Sequence, residues 1–413
     1  MHSKSSSTHL LKLSRISNIF LILLGTLLMA GCSSDVLKTD ARPVAKRPAA
    51  PTLPTWLGNP SRSFYGTGPW RDSTLKVVWK FETQMTTGPH HKDPWGGSSW
   101  PGQPSVDAKH VYFGSADSYL YCLKRADGSL VWSFKTGDSL KATPTISGDR
   151  IIASGLDHYI YCLNKHDGRL IWKFKTGFEI DCSAAVIDGR VYVGGEDGHF
   201  YSLNLEDGAL IYKTEWLGSI EGSFSVVEGR AYLGTEQGDL YCLSLADGST
   251  VWKARIGADS DSTPAVSNGF VFTAAENGNV YCFKQATGEL VWKFKAEGGF
   301  NYPEMRKGFW ASPVVSDGRI YIGSSNGFMY CLTTETGTVV WQHAVRGPIW
   351  ATAPVVDGRV IFGDKAGWIY ALAAQDGQRI SELKIGDNVN ATAAVLDGRI
   401  YVGAFNGNLY CLN

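Results

Sequence analysis

Seven residues at a nearly constant spacing are the first candidates for chemistry: Lys141, Asp181, Glu221, Asp261, Trp310, Trp350 and Asn390. The steps between them are 40, 40, 40, 49, 40 and 40 residues, and Pro101 stands 40 residues before the first. If the spacing reflects a structural repeat, all of them stand on one ring. Three successive acids then face two indoles, a set that could hold a cation through oxygen ligands or a planar ligand against an indole. The alternative is a solvated polar rim that binds nothing. A second candidate is His90-His91 with Asp93. Adjacent histidines without a third and fourth ligand do not make a metal site, so none is assigned. His158, His166 and His199 occupy turn or strand-edge slots and read as surface residues. No Gly-x-Ser-x-Gly, Walker or zinc-protease pattern occurs, and no catalytic residue is assigned.

The elements that position the ring are strands. Tyr161–Gly177 reads as a strand, an Asp167-Gly168 turn and a second strand. In the second strand Leu170, Trp172 and Phe174 alternate with Arg169, Ile171, Lys173 and Lys175, so period two places the first three on one buried face. The unit recurs: Trp132, Trp172, Tyr212, Trp252 and Trp292 are 40 residues apart, Trp341 follows after 49, and Ser381 after 40. A turn precedes each, from Asp127-Gly128 to Asp376-Gly377. Three further strand signals lie behind each landmark strand. Sets of these three begin near Gln103, Thr143, Ser183, Ser223, Thr263, Ser312, Thr352 and Thr392, which is eight, against seven landmark strands. The eighth landmark strand is supplied by Leu75–Thr83, with Trp79 at the landmark. The predicted fold is all-β, an eight-bladed β-propeller of four-stranded antiparallel blades, closed by an N-terminal strand that completes the last blade.

Lys+Arg and Asp+Glu both total 39, and this balance offers no electrostatic footprint for nucleic acid. Lys4, Lys12 and Arg15 precede the short apolar run Ile19–Ala30, which makes residues 1–31 a signal peptide. Leu28-Met29-Ala30-Gly31-Cys32 resembles a bacterial lipobox, which implies lipid on Cys32, and Ser33 after it implies sorting to the outer membrane. Residues 32–55, rich in Ala, Pro, Lys and Ser, read as a flexible tether, and 56–413 as the propeller. Cys122, Cys162, Cys242, Cys282, Cys331 and Cys411 share one repeat slot that Ser202 and Ala371 also fill, so the slot is a small packing site. Equivalent slots on different blades are too far apart to bridge, Cys182 stands alone, and no disulfide is expected.

Two connections are longer than the rest, Gln84–Gly102 with Trp95 and Trp100, and Ala296–Trp310 with Phe300, Tyr302 and Phe309. Trp216 lies in a third loop that emerges on the same face. Exposed aromatics there would form a partner surface; the alternative is that they plug their own loops.

The repeat resembles the PQQ-like (pyrroloquinoline-quinone type) propeller repeat, Ala-x-Asp-x-x-Thr-Gly-x-x-x-Trp, over residues 56–413. Gly168 and Trp172 match it, and its Thr is Asp in five turns and Thr in two. Its Asp falls on Lys124, Asn164, Asn204, Ser244, Lys284, Thr333 and Ala373 and is lost throughout. Together with the lipobox, the resemblance implies a non-enzymatic, lipid-anchored scaffold facing the periplasm, with envelope proteins of the outer-membrane barrel-assembly machinery as partners and no cofactor. A second branch of the resemblance implies a dehydrogenase that holds PQQ over a Trp beside Ca²⁺ at the ring. No pair of adjacent cysteines is present to cover the quinone, and this departure argues against it. A third implies a surface carbohydrate or peptide binder, which the segment around Trp56 also resembles.

Overall fold

Each repeat folds into four antiparallel strands because its turn residues stand where a hairpin must reverse. In the second repeat the strands are Thr145–Ser147, Arg150–Ser154, Tyr159–Asn164 and Leu170–Lys175, from the channel outward. Among the described residues eight such four-stranded sheets are formed. The structure, a computed structural model, describes residues 52–84, 103–298, 308–386 and 388–413. Among these the one helical element is a 3-10 turn at Trp56–Gly58. The eighth sheet is built as expected: Val77–Glu82 pairs antiparallel with Asn408–Leu412 and supplies the outer strand.

The landmark residues are blade-to-blade contacts. Trp172 donates its Nε1–H to the Leu205 carbonyl in the next blade's turn at 2.9 Å. Gly208 of that turn lies against the indole, where a Cβ would stand 2.7 Å from the ring. The glycine also has φ +72°, so both backbone conformation and close approach demand it. Trp132 meets Lys165 and Gly168 in the same way, and Trp252 meets Gln285 and Gly288. Tyr212 substitutes its hydroxyl, which donates to Leu245 O at 3.0 Å. Ser381 breaks the rule for a topological reason. The third and outer strands of the eighth blade are not consecutive in the chain, so no hairpin turn stands there for an indole to cover. Ser381 Oγ instead accepts the Leu75 amide at 2.9 Å, where the closing segment arrives.

One detail of the alternation is corrected. Leu170 is 44% exposed, not buried beside Trp172. The ladder pairs Cys162 with Trp172 but Leu163 with Leu170, so Ile171 is an extra residue, a β-bulge. The bulge turns both Leu170 and Ile171 outward and twists the edge of the outer strand. The repeat-slot cysteines lie opposite the landmarks, as Cys162 does Trp172, and all seven described cysteines are buried thiols.

Inside, Ser/Thr residues at the start of the inner strands bind blade to blade. The Thr143 amide donates to Ser183 Oγ (3.0 Å), Ser183 to Ser223 Oγ (2.8 Å), Ser312 to Thr352 Oγ1 (3.0 Å) and Thr352 to Thr392 Oγ1 (3.1 Å). The segment before the first blade lines the inner strands of several blades. Leu53 bridges to Val106 and Gly66 to Val395, so contact with the propeller begins three residues ahead of the expected boundary at Trp56. Arg62, 1% exposed, donates to the carbonyls of Phe224, Trp56 and Ser183 and to Thr55 Oγ1. These bonds satisfy a guanidinium that burial alone has pulled down to about 10.

Candidate functional site at the channel mouth

The structure brings Lys141, Asp181, Glu221, Asp261, Trp310, Trp350 and Asn390 to one cavity of about 160 Å³. Each stands two residues ahead of an inner-strand Ser/Thr position, and the hydroxyl belt forms the next layer, with Thr143, Ser183, Ser223, Thr263, Ser312, Thr352 and Thr392. Trp56 and Gln103 also line it. Gln103 accepts the Leu57 amide and donates to Ala393 O, which ties the N-terminal segment to the wall. Pro101 lies outside the described residues.

The acidic side is larger than the ring alone. Asp259 and Glu276 join Asp261, with one ligand oxygen from each within 4.8 Å of the others. The side-chain hydrogen-bond partner of Asp261 is Asp259, another acid, and Asn390 Oδ1, in a residue 6% exposed, receives no hydrogen bond. Burial, then the neighbouring carboxylates Glu221 and Asp259, hold Asp261 well above the usual carboxylate range. Burial and Asp181 push Glu221 up to about 8, and burial with Asp181 and Glu221 pushes Glu196 up to about 8. Lys141 is the local counter-charge, 3.3 Å from Asp181. Burial works against its charge, but Asp181 and Glu221 outweigh it and raise its pKa. This oxygen set fits a hard cation.

The opposite side has no slot between its two indoles. Trp310 and Trp350 stack on each other, with centroids 4.5 Å apart and planes 12° apart, which leaves no gap for a planar ring between them. Lys365 Nζ sits 3.4 Å from the Trp350 ring centroid, an intramolecular cation–π contact. Trp350 Nε1 donates to Ser325 Oγ at 3.1 Å. Burial lowers Lys365 to about 8. Cys182, the cysteine nearest the mouth in the repeat, is fully buried beside Ser183 and has no adjacent partner.

On the face where outer strands lead into the next blade, Trp216 is 61% exposed. A Cβ at Gly198 would lie 2.2 Å from Trp216 Nε1, so the indole rests on this bare turn. Phe178, in the corresponding loop of the preceding blade, is 48% exposed and packs against His158 at 5.5 Å. The sequence reading missed it; its position two residues after Thr176 in a short loop was the available signal. Phe309 corrects the expected partner surface. It is fully buried against Tyr330 in the core between the fifth and sixth blades, because its amide is held by Ala275 O and draws the ring inward. Cys32, His90, His91, Asp93, Trp95, Trp100, Phe300 and Tyr302 lie outside the described residues. The sequence reading also missed Asp259, Glu276, Trp56 and Gln103, which stand off the ring position and join it only through folding.

Among solved structures, BamB from Moraxella catarrhalis superposes with a TM-score of 0.66 at 17% identity, covering 82% of this chain and 98% of that one. Quinohemoprotein alcohol dehydrogenase from Comamonas testosteroni gives 0.72 at 12% identity, covering 88% and 80%. A europium-containing methanol dehydrogenase gives 0.71 at 14% identity, covering 89% and 98%. At these identities the likeness is one of fold. No curated protein sequence matches the chain. The family described as outer membrane protein assembly factor BamB matches residues 72–179, 156–252 and 236–413, together most of the chain. The propeller therefore belongs to the BamB family.

Proposed function

We propose that the chain is a lipid-anchored scaffold at the outer membrane, facing the periplasm, that binds protein partners in outer-membrane protein assembly and catalyses no reaction. The observation that carries this reading is the family match across residues 72–413. The mutual stacking of Trp310 and Trp350 supports it, since it takes one face of each indole, and Lys365 sits on the Trp350 ring. Trp216 and Phe178, exposed on loops leaving neighbouring blades, are the anchors for a partner. The test is affinity capture with the full lipidated chain from membranes of its own organism. Recovery of barrel-assembly subunits, reduced at least tenfold by Trp216→Ala with Phe178→Ala, supports the reading. Their absence from the captured set overturns it.

The convergence of Asp259, Asp261 and Glu276 favours a second reading, a cation-loaded mouth as in a quinone-type dehydrogenase. These three carboxylates would hold Ca²⁺ or a lanthanide, which would supply Lewis-acid polarisation there. Lys141 would offset the remaining charge of Asp181. Titration with Ca²⁺ and Eu³⁺, read by calorimetry and by thermal midpoint, decides it: saturable binding lost in Asp261→Asn supports the site, and no heat with an unchanged midpoint removes it.

A further inference from the structure

The seam between the eighth and first blades departs from the seams around it. At the start of the second strand most blades carry Arg, and four of these arginines reach a neighbouring backbone. Arg150 donates to Leu205 O and Glu206 O (both 3.1 Å), Arg190 to Ala246 O (3.4 Å), Arg319 to Gln375 O (2.7 Å) and Arg359 to Asp72 O (3.0 Å). Arg399 holds the same position in the eighth blade, but its Nη1 lies 3.7 Å from Cys411 Sγ and makes no such carbonyl bond. Arg230 in the fourth blade likewise stays on its own blade's cysteine, Cys242, so what sets this seam apart is the turn that faces Arg399. Its first residue is Arg125, where the other blades have Lys165, Leu205, Leu245, Gln285, Thr334 and Ala374. Arg125 reaches back across the seam to Asp397 Oδ2 (2.8 Å), Leu396 O (3.1 Å) and the Tyr401 hydroxyl (3.0 Å).

A cleft of about 560 Å³ opens at this seam, lined by Arg71, Lys109, Lys124, Arg125 and Arg399, with His110 and Asp397. The cations come from three separate stretches of chain. Lys109 stands where every other blade has Gly or Asp149, and Arg71 belongs to the segment that leads to the closing strand. Asp397, the carboxylate in the lining, is already engaged by Arg125. Nearby Asp107 faces His110 and Lys165. Arg71 donates to the Asp397 carbonyl at 3.2 Å and Asp127 lies within electrostatic reach of Lys124, yet the five cations outnumber the carboxylates and give the cleft a positive potential that attracts an anion.

We infer that this cleft binds a phosphate-type oxyanion, with Arg399, Lys109 and Lys124 as its donors. Guanidinium and ammonium groups presented together are the usual recognition set for phosphate oxygens. The anion takes the place of the backbone carbonyl that four of the equivalent arginines grip. It is either a free phosphate or the headgroup of an anionic phospholipid, and one experiment separates the two.

The full chain in neutral detergent is titrated with inorganic phosphate by calorimetry at low salt. In parallel it is bound to phosphatidylcholine vesicles with and without phosphatidylglycerol. Lys109→Ser with Lys124→Ser, both at exposed positions, weakens phosphate binding at least tenfold and leaves the thermal midpoint unchanged. Arg399→Gln does the same, whereas Arg150→Gln lowers the midpoint and leaves phosphate binding alone. Saturable phosphate binding with this pattern identifies a free oxyanion ligand. No phosphate heat, but extra binding to phosphatidylglycerol vesicles that the lysine pair abolishes, identifies a lipid headgroup. Neither signal, or signals equal in parent and variants, overturns the inference.

Discussion

The outer seams and the channel mouth obey opposite rules. At the seams nearly the same residue recurs around the ring, from Trp79 docked on Arg125 O to Trp341 docked on Ala374 O. At the mouth the residue varies between blades, with Lys141, Glu221 and Asn390 occurring once each, Asp at 181 and 261, and Trp at 310 and 350. The seam needs sameness because every blade must bury one face against the next at one angle, and a large ring over a bare glycine is a reproducible way to do it. The mouth carries no such constraint, so its residues are free to diverge, and divergence concentrates charge. Eight identical acids would repel, and eight indoles would fill the channel.

The contrast is broken most severely at the seam. Trp172→Ala removes a buried indole and its bond to Leu205 O, and costs about 3–5 kcal/mol in urea unfolding. A loss below about 1 kcal/mol would mean that the seams do not hold the ring. Gly208→Ala is next, at roughly 2 kcal/mol, from φ +72° and the 2.7 Å approach to Trp172. In the Trp172→Ala background the steric part vanishes, so the pair is coupled in a double-mutant cycle; strict additivity would refute the contact.

At the mouth the sign reverses. Glu221 titrates near 8 in the fold, against about 4.5 unfolded. The folded state therefore binds more protons between these values, and stability falls as pH rises from about 4.5 to about 8. Glu221→Gln flattens that slope and stabilises the protein at pH 8 by about 1–2 kcal/mol. A slope unchanged in the variant would place the buried charge elsewhere. The smallest effect on stability is at Trp216→Ala, within about 0.5 kcal/mol. Its loss is read in partner capture, and equal capture would remove Trp216 from the partner surface.

Much of this contrast was legible in the residues. The 40-residue period, the turns, the missing eighth landmark and its supply by Leu75–Thr83 all follow from local turn chemistry and counting. The bulge at Leu170 did not follow, because Leu and Ile are equally at home on either face, and ladder register decides which way they point. Spacing places Ser381 at a landmark position but says nothing of what faces it. Only strand connectivity reveals that no turn stands beside it.

The sequence by itself determined the architecture, the ring of seven and the acidic bias of one side of the mouth. Each is a property of spacing, and spacing survives folding unchanged. Only the tertiary structure decided that Asp259 and Glu276 join Asp261, that Phe309 turns inward and that Trp310 covers Trp350. It alone decided that Arg62 is buried against the inner strands and that five cations meet where the ring closes. These depend on which distant stretches meet and on the loss of water around them. A buried charge acquires its pKa and its partners from neighbours far away in the chain, and no local pattern records them.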